Sequence, residues 1–180
     1  MSQIKSKARY VEPPPNPILE YNIAVIKKNI VSIIILKLFM IVNIALLTVT
    51  DTRTIDNDKS GAILVEKIKE ANHKLIDRKI CKDNKADIVK ILKGWTNHKN
   101  IDVIITTGGT GLTGRDITPE AVDEIADKHI PGFGEIFRTI SLKTVGTSSI
   151  QSRACAVLSN GKYIFALPGS SGGVTDAWDG

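Results

Sequence analysis

The stretch IDVIITTGGTG at residues 101–111, followed by Arg115-Asp116 and Thr118-Pro119-Glu120, determines the fold prediction for this chain. Its first five residues are typical of a buried strand, and Thr118-Pro119 predicts a helix start with Thr118 as the N-cap. Glycines let backbone N–H groups approach a ligand closely, and a helix N-terminus favours an anion. An acid beside such a loop is a common way to hold a divalent cation against phosphates. The stretch therefore predicts a phosphate-bearing substrate that is handled with a metal.

Strand-like and helix-like segments alternate on both sides of this stretch. Strand character is found at residues 44–50, 74–81, 101–107, 153–158 and 162–167, with a hairpin-like turn at 159–161. Helical spacing or helix-start signals are found at residues 61–71, 83–95 with Asn84 as a cap, from 118, 133–142 and 174–179. Alternating strands and helices predict the α/β class, with a mostly parallel sheet covered by helices on both faces.

Polar or glycine-rich loops follow four of the candidate strands. They begin at Thr50-Asp51, at Asp83, at Gly108 and at Pro168. In sheets of this kind, ligands bind beyond the carboxyl ends of the strands. We therefore expect the four loops to share one rim of the sheet and to form one site.

Composition limits the possible classes of function. The chain has 180 residues, 42% of them apolar, which suits one domain with one good core. The formal net charge of +5 is spread along the chain and does not support nucleic-acid binding. Cys81 and Cys155 match no metal or redox spacing, so we expect a reduced, cytoplasmic setting. The three histidines are isolated in the sequence and are not expected to be metal ligands.

The N-terminal part has a different character. Residues 1–20 are polar and proline-containing, and residues 30–49 are almost continuously apolar apart from Ser32, Lys37 and Asn43. We interpret residues 21–42 as an extension that packs as an extra hydrophobic helix. A membrane anchor and a poorly folding segment are the alternatives, but Lys37 at mid-membrane would cost about 2.5–3.5 kcal/mol.

The segment ITTGGTGLTGRDITPEAV, with PGFGEIFR, SLKTVGTSSIQSRA and FALPGSSGG in the same order, resembles the MoaB/Mog family of molybdenum cofactor biosynthesis. The similarity runs from about Asn43 to Gly180, and GTSSIQSRA favours the MoaB branch. It implies a three-layer α/β/α domain around a mostly parallel sheet. It also implies adenylyl transfer, in which ATP and Mg²⁺ activate the terminal phosphate of molybdopterin, and a trimeric or hexameric homo-oligomer. A non-catalytic molybdopterin-binding or carrier protein is the alternative.

The resemblance assigns roles to individual residues. Asp83 and Asp116 match the essential acids, which implies that they are catalytic and bind Mg²⁺. The implied pterin-phosphate and nucleotide site consists of Asp51, Ser60, Gly61, Gly108, Gly109, Thr110, Gly111, Pro168, Gly169 and Ser170. By their chemistry, Arg115 and Arg153 are either phosphate clamps or partners in surface salt bridges.

The sequence departs from the family pattern at both ends. The hydrophobic extension is not part of the usual pattern, and the sequence stops at Gly180, where relatives continue through a closing helix. We therefore divide the chain into residues 1–42, an arm with its extension, and residues 43–180. The second part is predicted to be a MoaB/Mog-like molybdopterin-binding domain, truncated at its C-terminus.

Overall fold

A computed structural model describes residues 41–180 of the chain. The predictions for the N-terminal arm and for nearly all of the hydrophobic extension lie outside these residues. Between residues 41 and 180, no helix is both long enough and apolar enough to cross a membrane.

The described residues form one mixed sheet with helices between its strands. The strands are β1 (Asn43–Val49), β2 (Lys74–Cys81), β3 (Val103–Thr107), β4 (Lys128–His129), β5 (Cys155–Ser159) and β6 (Lys162–Leu167). The helices are α1 (Lys59–Glu70), α2 (Lys85–Thr96), α3 (Thr118–Asp123), α4 (Pro131–Val145), a 3₁₀ helix (Gly146–Gln151) and α5 (Ser171–Asp179). The predicted α/β class is confirmed, while β4 and the 3₁₀ helix were not predicted.

The strand order places the four predicted loops at one edge of the sheet. The order is β2-β1-β3-β6-β5-β4. The β2–β1, β1–β3 and β3–β6 pairs are parallel, whereas β5 and β4 continue the sheet antiparallel. Val49 lies opposite Cys81, Thr48 lies opposite Thr107, and Thr107 lies opposite Leu167. The carboxyl ends of these four strands are therefore level to within about one residue.

Helices cover both faces of the sheet, which gives the three layers implied by the resemblance. On one face α2 and α3 pack over a core that includes Leu47 and Leu92. On the other face α1 and α5 pack over a core that includes Leu46 and Leu64. Successive strand residues point to opposite faces, so Leu46 and Leu47 enter different cores, and β1 has a continuous apolar sequence for this reason. Each such fully buried leucine contributes about 1.5–3 kcal/mol.

The helix starts test the capping predictions. Asn84 caps α2 as predicted, because its side chain accepts a hydrogen bond from the N–H of Asp87 at 3.1 Å. The prediction for α3 was wrong: Ile117 occupies the N-cap position without a side-chain bond, and Thr118 is already helical. The Thr118 hydroxyl instead donates to the carbonyl of Gly108 at 2.9 Å. Thr118 therefore stabilises the glycine loop through its side chain and does not cap the helix.

Two other boundaries differ from the sequence prediction or refine it. The helix predicted at residues 133–142 begins earlier, at Pro131, since proline is compatible with the first turn of a helix. The hairpin between β5 and β6 is confirmed. Its central residues Asn160 and Gly161 have φ of 48° and 73°, the left-handed pair that a tight hairpin turn requires.

Candidate functional site

The glycine loop after β3 packs backbone against backbone with its neighbours. Gly108 has φ of 101°, and a Cβ there would lie 2.2 Å from the carbonyl oxygen of Val49. Its N–H donates to the carbonyl of Leu167 at 3.0 Å. A Cβ on Gly169 would in turn lie 3.1 Å from the Cα of Gly108. The loops after β1, β3 and β6 are therefore in direct contact, and side chains at these glycines would separate them.

Both predicted catalytic acids contact this loop. A Cβ on Gly109 would lie 2.7 Å from Oδ1 of Asp83, and a Cβ on Gly111 would lie 2.7 Å from Oδ2 of Asp116. The two carboxylates thus approach the same short loop at positions two residues apart. The structure brings Asp83 and Asp116 together, although they follow different strands.

Asp116 is oriented by a residue within its own loop. Its Oδ2 accepts hydrogen bonds from the N–H of Thr113 at 2.9 Å and from the Thr113 hydroxyl at 2.6 Å. The Thr113 hydroxyl lowers the pKa of Asp116 most, and the Thr113 and Gly111 N–H groups lower it further. Asp116 is therefore a fixed, ionised carboxylate at neutral pH.

Asp83 has the opposite electrostatic environment. Burial raises the pKa of Asp83, and the nearby charges of Asp51 and Asp116 raise it further. Asp51 accepts a hydrogen bond from the N–H of Asp83 at 3.3 Å. Arg115 lies 3.8 Å from Asp51, but its side chain is 80% exposed and compensates little of this charge. Asp83 thus lies near two further carboxylates, an environment that a cation would stabilise.

The side chains present fit Mg²⁺ better than a metal held by protein ligands alone. Among residues 41–180, no group of three or more His, Cys, Asp or Glu side chains is close enough to hold a metal ion. Mg²⁺ is usually bound through one or two carboxylates, with water and substrate phosphates as its other ligands. Asp83 and Asp116 approach the same loop, so the donor chemistry of the rim fits Mg²⁺.

A cleft of about 400 Å³ lies next to Asp116. This volume is within the usual range for a small-molecule site. Of the residues predicted for the site, those that line the cleft are Gly109, Thr110, Gly111, Asp116, Pro168, Gly169 and Ser170. Asp51, Ser60, Gly61, Asp83 and Gly108 are not among its lining residues. The cleft therefore contains most, but not all, of the predicted site.

The far wall of the cleft was missed by sequence reasoning. It comes from α4, the 3₁₀ helix and the segment after it: Phe137, Ser141, Val145, Ser148, Ser149, Gln151 and Ser152. Gly173 and Asp176 of α5 complete the lining. Apolar surface and hydroxyl groups alternate on this wall, which suits a flat heterocycle with polar edges. The serines after Gly146 were the available signal in the sequence.

The loop after β6 presents a helix terminus to the cleft. Ser170 caps α5, and its hydroxyl oxygen accepts from the N–H of Gly173 at 3.1 Å. Both residues line the cleft, so the first turn of α5 faces it. The N-terminus of a helix favours negative charge, and an anion in the cleft would therefore be stabilised there.

Ser60 and Gly61 lie in a buried polar cluster around Asp58. Asp58 accepts hydrogen bonds from Thr48 at 2.6 Å, from the N–H of Gly61 at 2.9 Å and from Arg78 at 3.0 Å. The Ser60 hydroxyl also donates to Asp58, at 3.2 Å. Burial raises the pKa of Asp58, but these hydrogen bonds outweigh it and the net pKa is lowered. The hydrogen bonds from Ser60 and Gly61 to Asp58 thus lie at the start of α1.

Arg53 connects this cluster to the rim. Its Nη1 lies 3.3 Å from the Ser60 hydroxyl and 3.3 Å from the carbonyl oxygen of Gly169. Sequence reasoning missed both Arg53 and Asp58. The spacing from Asp58 to Gly61, which is that of an N-cap and the N–H it binds, was the available signal for the aspartate.

The fold and the rim place this chain in a class of α/β proteins that carry a glycine-rich loop at the carboxyl ends of a mostly parallel sheet. The profile described as "Probable molybdopterin binding domain" matches residues 45–180. The chain belongs to the MoaB/Mog family of molybdenum cofactor biosynthesis proteins.

Individual relatives are similar over most of their length. The chain is 46% identical over 130 residues to Molybdenum cofactor biosynthesis protein B of Bacillus cereus, which covers 72% of this chain and 77% of the relative. It is 40% identical over 141 residues to the protein of the same name from Escherichia coli K12, covering 78% and 83%. A crystal structure of Molybdenum cofactor biosynthesis protein B, 45% identical, superposes with a TM-score of 0.75 over 77% of this chain and 86% of that one.

Proposed function

We propose that this protein acts in molybdenum cofactor biosynthesis by adenylylating the terminal phosphate of molybdopterin, with ATP and Mg²⁺. The family and the names of its relatives support the biosynthetic role. The observation that carries the finer proposal is the approach of Asp83 and Asp116 to one glycine loop beside a cleft of about 400 Å³.

The reaction requires charge neutralisation and alignment more than covalent catalysis. A phosphate oxygen of molybdopterin attacks the α-phosphorus of ATP, the bond to the β-phosphate breaks, and pyrophosphate leaves. Several negative charges meet in this step, so positioning and electrostatic stabilisation dominate. No protein nucleophile is needed. Burial raises the pKa of Cys81 and of Cys155 to about 11, so neither thiol is a thiolate at neutral pH.

Different residues of the rim would bind the phosphate and the Mg²⁺. The N–H groups of Gly109 and Thr110 and the first turn of α5 would bind the reacting phosphate. Asp83 and Asp116 would hold Mg²⁺, which when bound would neutralise charge on the phosphate oxygens. A cation there would also relieve the repulsion that contributes to the raised pKa of Asp83. The ionised Asp116 would remain in place throughout, because Thr113 holds its carboxylate.

The two substrates would occupy different parts of the site. The pterin would lie in the cleft, against Phe137 and the hydroxyl groups of its far wall. The nucleotide would lie nearer Asp51, Ser60 and Gly61, as the resemblance implies. Arg53, which contacts both Ser60 and Gly169, lies between these two regions.

We also propose that the protein works in the cytoplasm as a trimer or hexamer. Large apolar side chains on α4 support a surface that another copy covers: Ile136, Leu142 and Val145 are each more than half exposed. Light scattering coupled to size-exclusion chromatography would determine the oligomeric state, and a monomer at micromolar concentration would contradict the proposal.

The experiment is a direct assay of turnover. Purified, folded protein is incubated with molybdopterin, ATP and Mg²⁺, and adenylyl-molybdopterin and pyrophosphate are quantified together. We expect both products in equal amounts. Protein that binds molybdopterin but forms neither product would instead support the alternative function, a non-catalytic pterin-binding or carrier protein.

A further inference from the structure

The side chain of Arg153 lies against the glycine loop, just before β5. Its Nε donates to the carbonyl oxygen of Gly111 at 2.8 Å, and its Nη2 donates to the carbonyl oxygen of Asp116 at 2.7 Å. Its Nη1 forms a salt bridge with Glu120, in the first turn of α3. Its own N–H donates to the carbonyl of Thr110 at 3.2 Å. Every nitrogen of the guanidinium therefore has a partner within the protein.

These bonds fix the ends of one loop segment. Gly111 and Asp116 bracket the turn that carries Thr113, and one planar guanidinium binds the carbonyls of both. A guanidinium presents its donors in a rigid fork, which holds two acceptors in a fixed relative position; the flexible ammonium of lysine does not. Glu120 orients that fork from α3. Thr113 therefore fixes the orientation of the Asp116 carboxylate, and Arg153 fixes the position of the Asp116 main chain.

This geometry decides between the two interpretations of Arg153 offered by the sequence. A phosphate clamp needs free donors that point into the cleft. Arg153 does not line the cleft, and three of its five side-chain N–H donors, one on each nitrogen, are directed to Gly111, Asp116 and Glu120. The salt bridge to Glu120 is real, but it is part of a network and not an isolated surface pair.

We propose that Arg153 is a positioning residue, whose guanidinium holds the Gly111–Asp116 segment so that the Asp116 carboxylate stands at the metal site. The inference rests on the proposed function for its catalytic readout. It predicts a specific defect when the Arg153 guanidinium is removed. The protein should need more Mg²⁺ to reach a given rate, while its requirement for molybdopterin should change little.

The test compares Arg153→Met and Arg153→Lys with a matched control, Arg138→Met. Within residues 41–180, the side chain of Arg138 makes a single hydrogen bond, a long one of 3.5 Å to the carbonyl of Ser152, outside the Gly111–Asp116 segment. At limiting Mg²⁺ we expect Arg153→Met to lose about 100-fold in rate, the effect of a displacement near 1 Å at a reacting centre. We expect its half-saturating Mg²⁺ concentration to rise about tenfold, which is about 1.4 kcal/mol. Excess Mg²⁺ should restore much of the rate, Arg153→Lys should be intermediate, and Arg138→Met should match the wild type.

Several outcomes would overturn the proposal. If half-saturating molybdopterin rises and excess molybdopterin restores the rate, Arg153 is a phosphate ligand. If neither substrate nor Mg²⁺ restores the rate of a variant with wild-type circular dichroism, Arg153 has a different role. Unchanged Mg²⁺ dependence in Arg153→Met would also contradict the proposal.

A second measurement separates this inference from the proposed function and requires no turnover. Amide hydrogen exchange is compared in wild type, Arg153→Lys and Glu120→Gln, without substrate. We expect both variants to exchange about tenfold faster at residues 111–116, because local opening costs less, with β3 unchanged. If the wild type forms no adenylate, the proposed function fails, and this exchange pattern still decides whether Arg153 holds the loop. Wild-type exchange at residues 111–116 in both variants would overturn the inference even if the enzyme is active.

Discussion

The carboxylate of Asp116 is held by Thr113, which donates to it both its main-chain N–H, at 2.9 Å, and its hydroxyl, at 2.6 Å. The hydroxyl is the largest cause of the lowered pKa of Asp116. A threonine three residues before an acid thus both orients the acid and keeps it ionised. This small unit lies at the centre of the proposed metal site.

Replacing Thr113 by valine tests this unit. Thr113→Val keeps the side-chain shape but removes the hydroxyl, whereas Thr113→Ser keeps the hydroxyl and serves as the control. Since hydrogen bonds to charged groups are worth about 1.5–3 kcal/mol, we expect adenylylation by Thr113→Val to fall about tenfold or more. The pKa of Asp116 should rise, which moves the acidic limb of the pH–rate profile to higher pH. Valine and serine variants with equal rates and equal profiles would contradict this role.

Two glycines of the loop should respond differently to alanine. A Cβ on Gly109, where φ is 63°, would lie 2.4 Å from Oγ1 of Thr118 and 2.7 Å from Oδ1 of Asp83. We expect Gly109→Ala to displace Asp83 and to lower turnover about 100-fold, as misplacement of a reacting group does. A Cβ on Gly114 would meet no atom of residues 41–180 within 4 Å, so Gly114→Ala is the matched control. Equal turnover in the two variants would show that close packing at Gly109 is not needed.

Asp83 should show a trade-off between stability and function. Its pKa is raised by burial and by Asp51 and Asp116, so the folded state favours the protonated form. The stability linked to this group is fully present below its unfolded pKa and is lost as pH rises through the folded pKa. Without Mg²⁺ at neutral pH, Asp83→Asn should therefore raise Tm, by about 1–3 °C. The same variant should lose Mg²⁺-dependent turnover. A lower Tm together with full activity would contradict both expectations.

Asp58 should show the opposite pH dependence. Its pKa is lowered because its bonds to Thr48, Gly61, Arg78 and Ser60 outweigh burial. The stability it contributes is present above the unfolded pKa, about 3.9, and is lost as pH falls through the folded pKa. Removing one partner of a buried ion pair costs about 3–5 kcal/mol, so Asp58→Ala should lower the free energy of unfolding by that order. Urea unfolding at pH 7 and at pH 3 measures the difference, which should shrink at pH 3. A pH-independent effect would contradict the assignment.

Much of the fold was predictable because the strands have a strong sequence signal. The β-branched and aliphatic runs at β1 and β3 are buried on both faces, and such strands are visible as continuous apolar segments. The short strand β4 was missed because two exposed residues, Lys128 and His129, carry no such signal. Its pairing with β5 depends on the tertiary structure.

The spatial arrangement of the candidate site was predictable where residues lie close to the glycine loop and less so elsewhere. The loop, Asp83 and Asp116 follow from strand ends at one rim, since parallel strands align those ends. The hydroxyl-rich wall of the cleft comes from α4 and the 3₁₀ helix, which reach the rim only through tertiary packing. Thr118 was misassigned as a cap because capping preference is local. The hydroxyl of Thr118 instead donates a hydrogen bond to the carbonyl of Gly108, ten residues earlier.

The most direct test of the central claim is the yield of adenylyl-molybdopterin in wild type and in Asp116→Asn, with molybdopterin binding measured on the same samples. We expect the wild type to form adenylyl-molybdopterin and pyrophosphate in equal amounts, only when Mg²⁺ is present. Asp116→Asn should form neither while retaining much of its molybdopterin binding, because in the proposed mechanism the carboxylate would hold Mg²⁺ and the cleft would hold the pterin. Wild-type yield from Asp116→Asn, or no adenylate from folded wild type that binds molybdopterin, would contradict the proposed function.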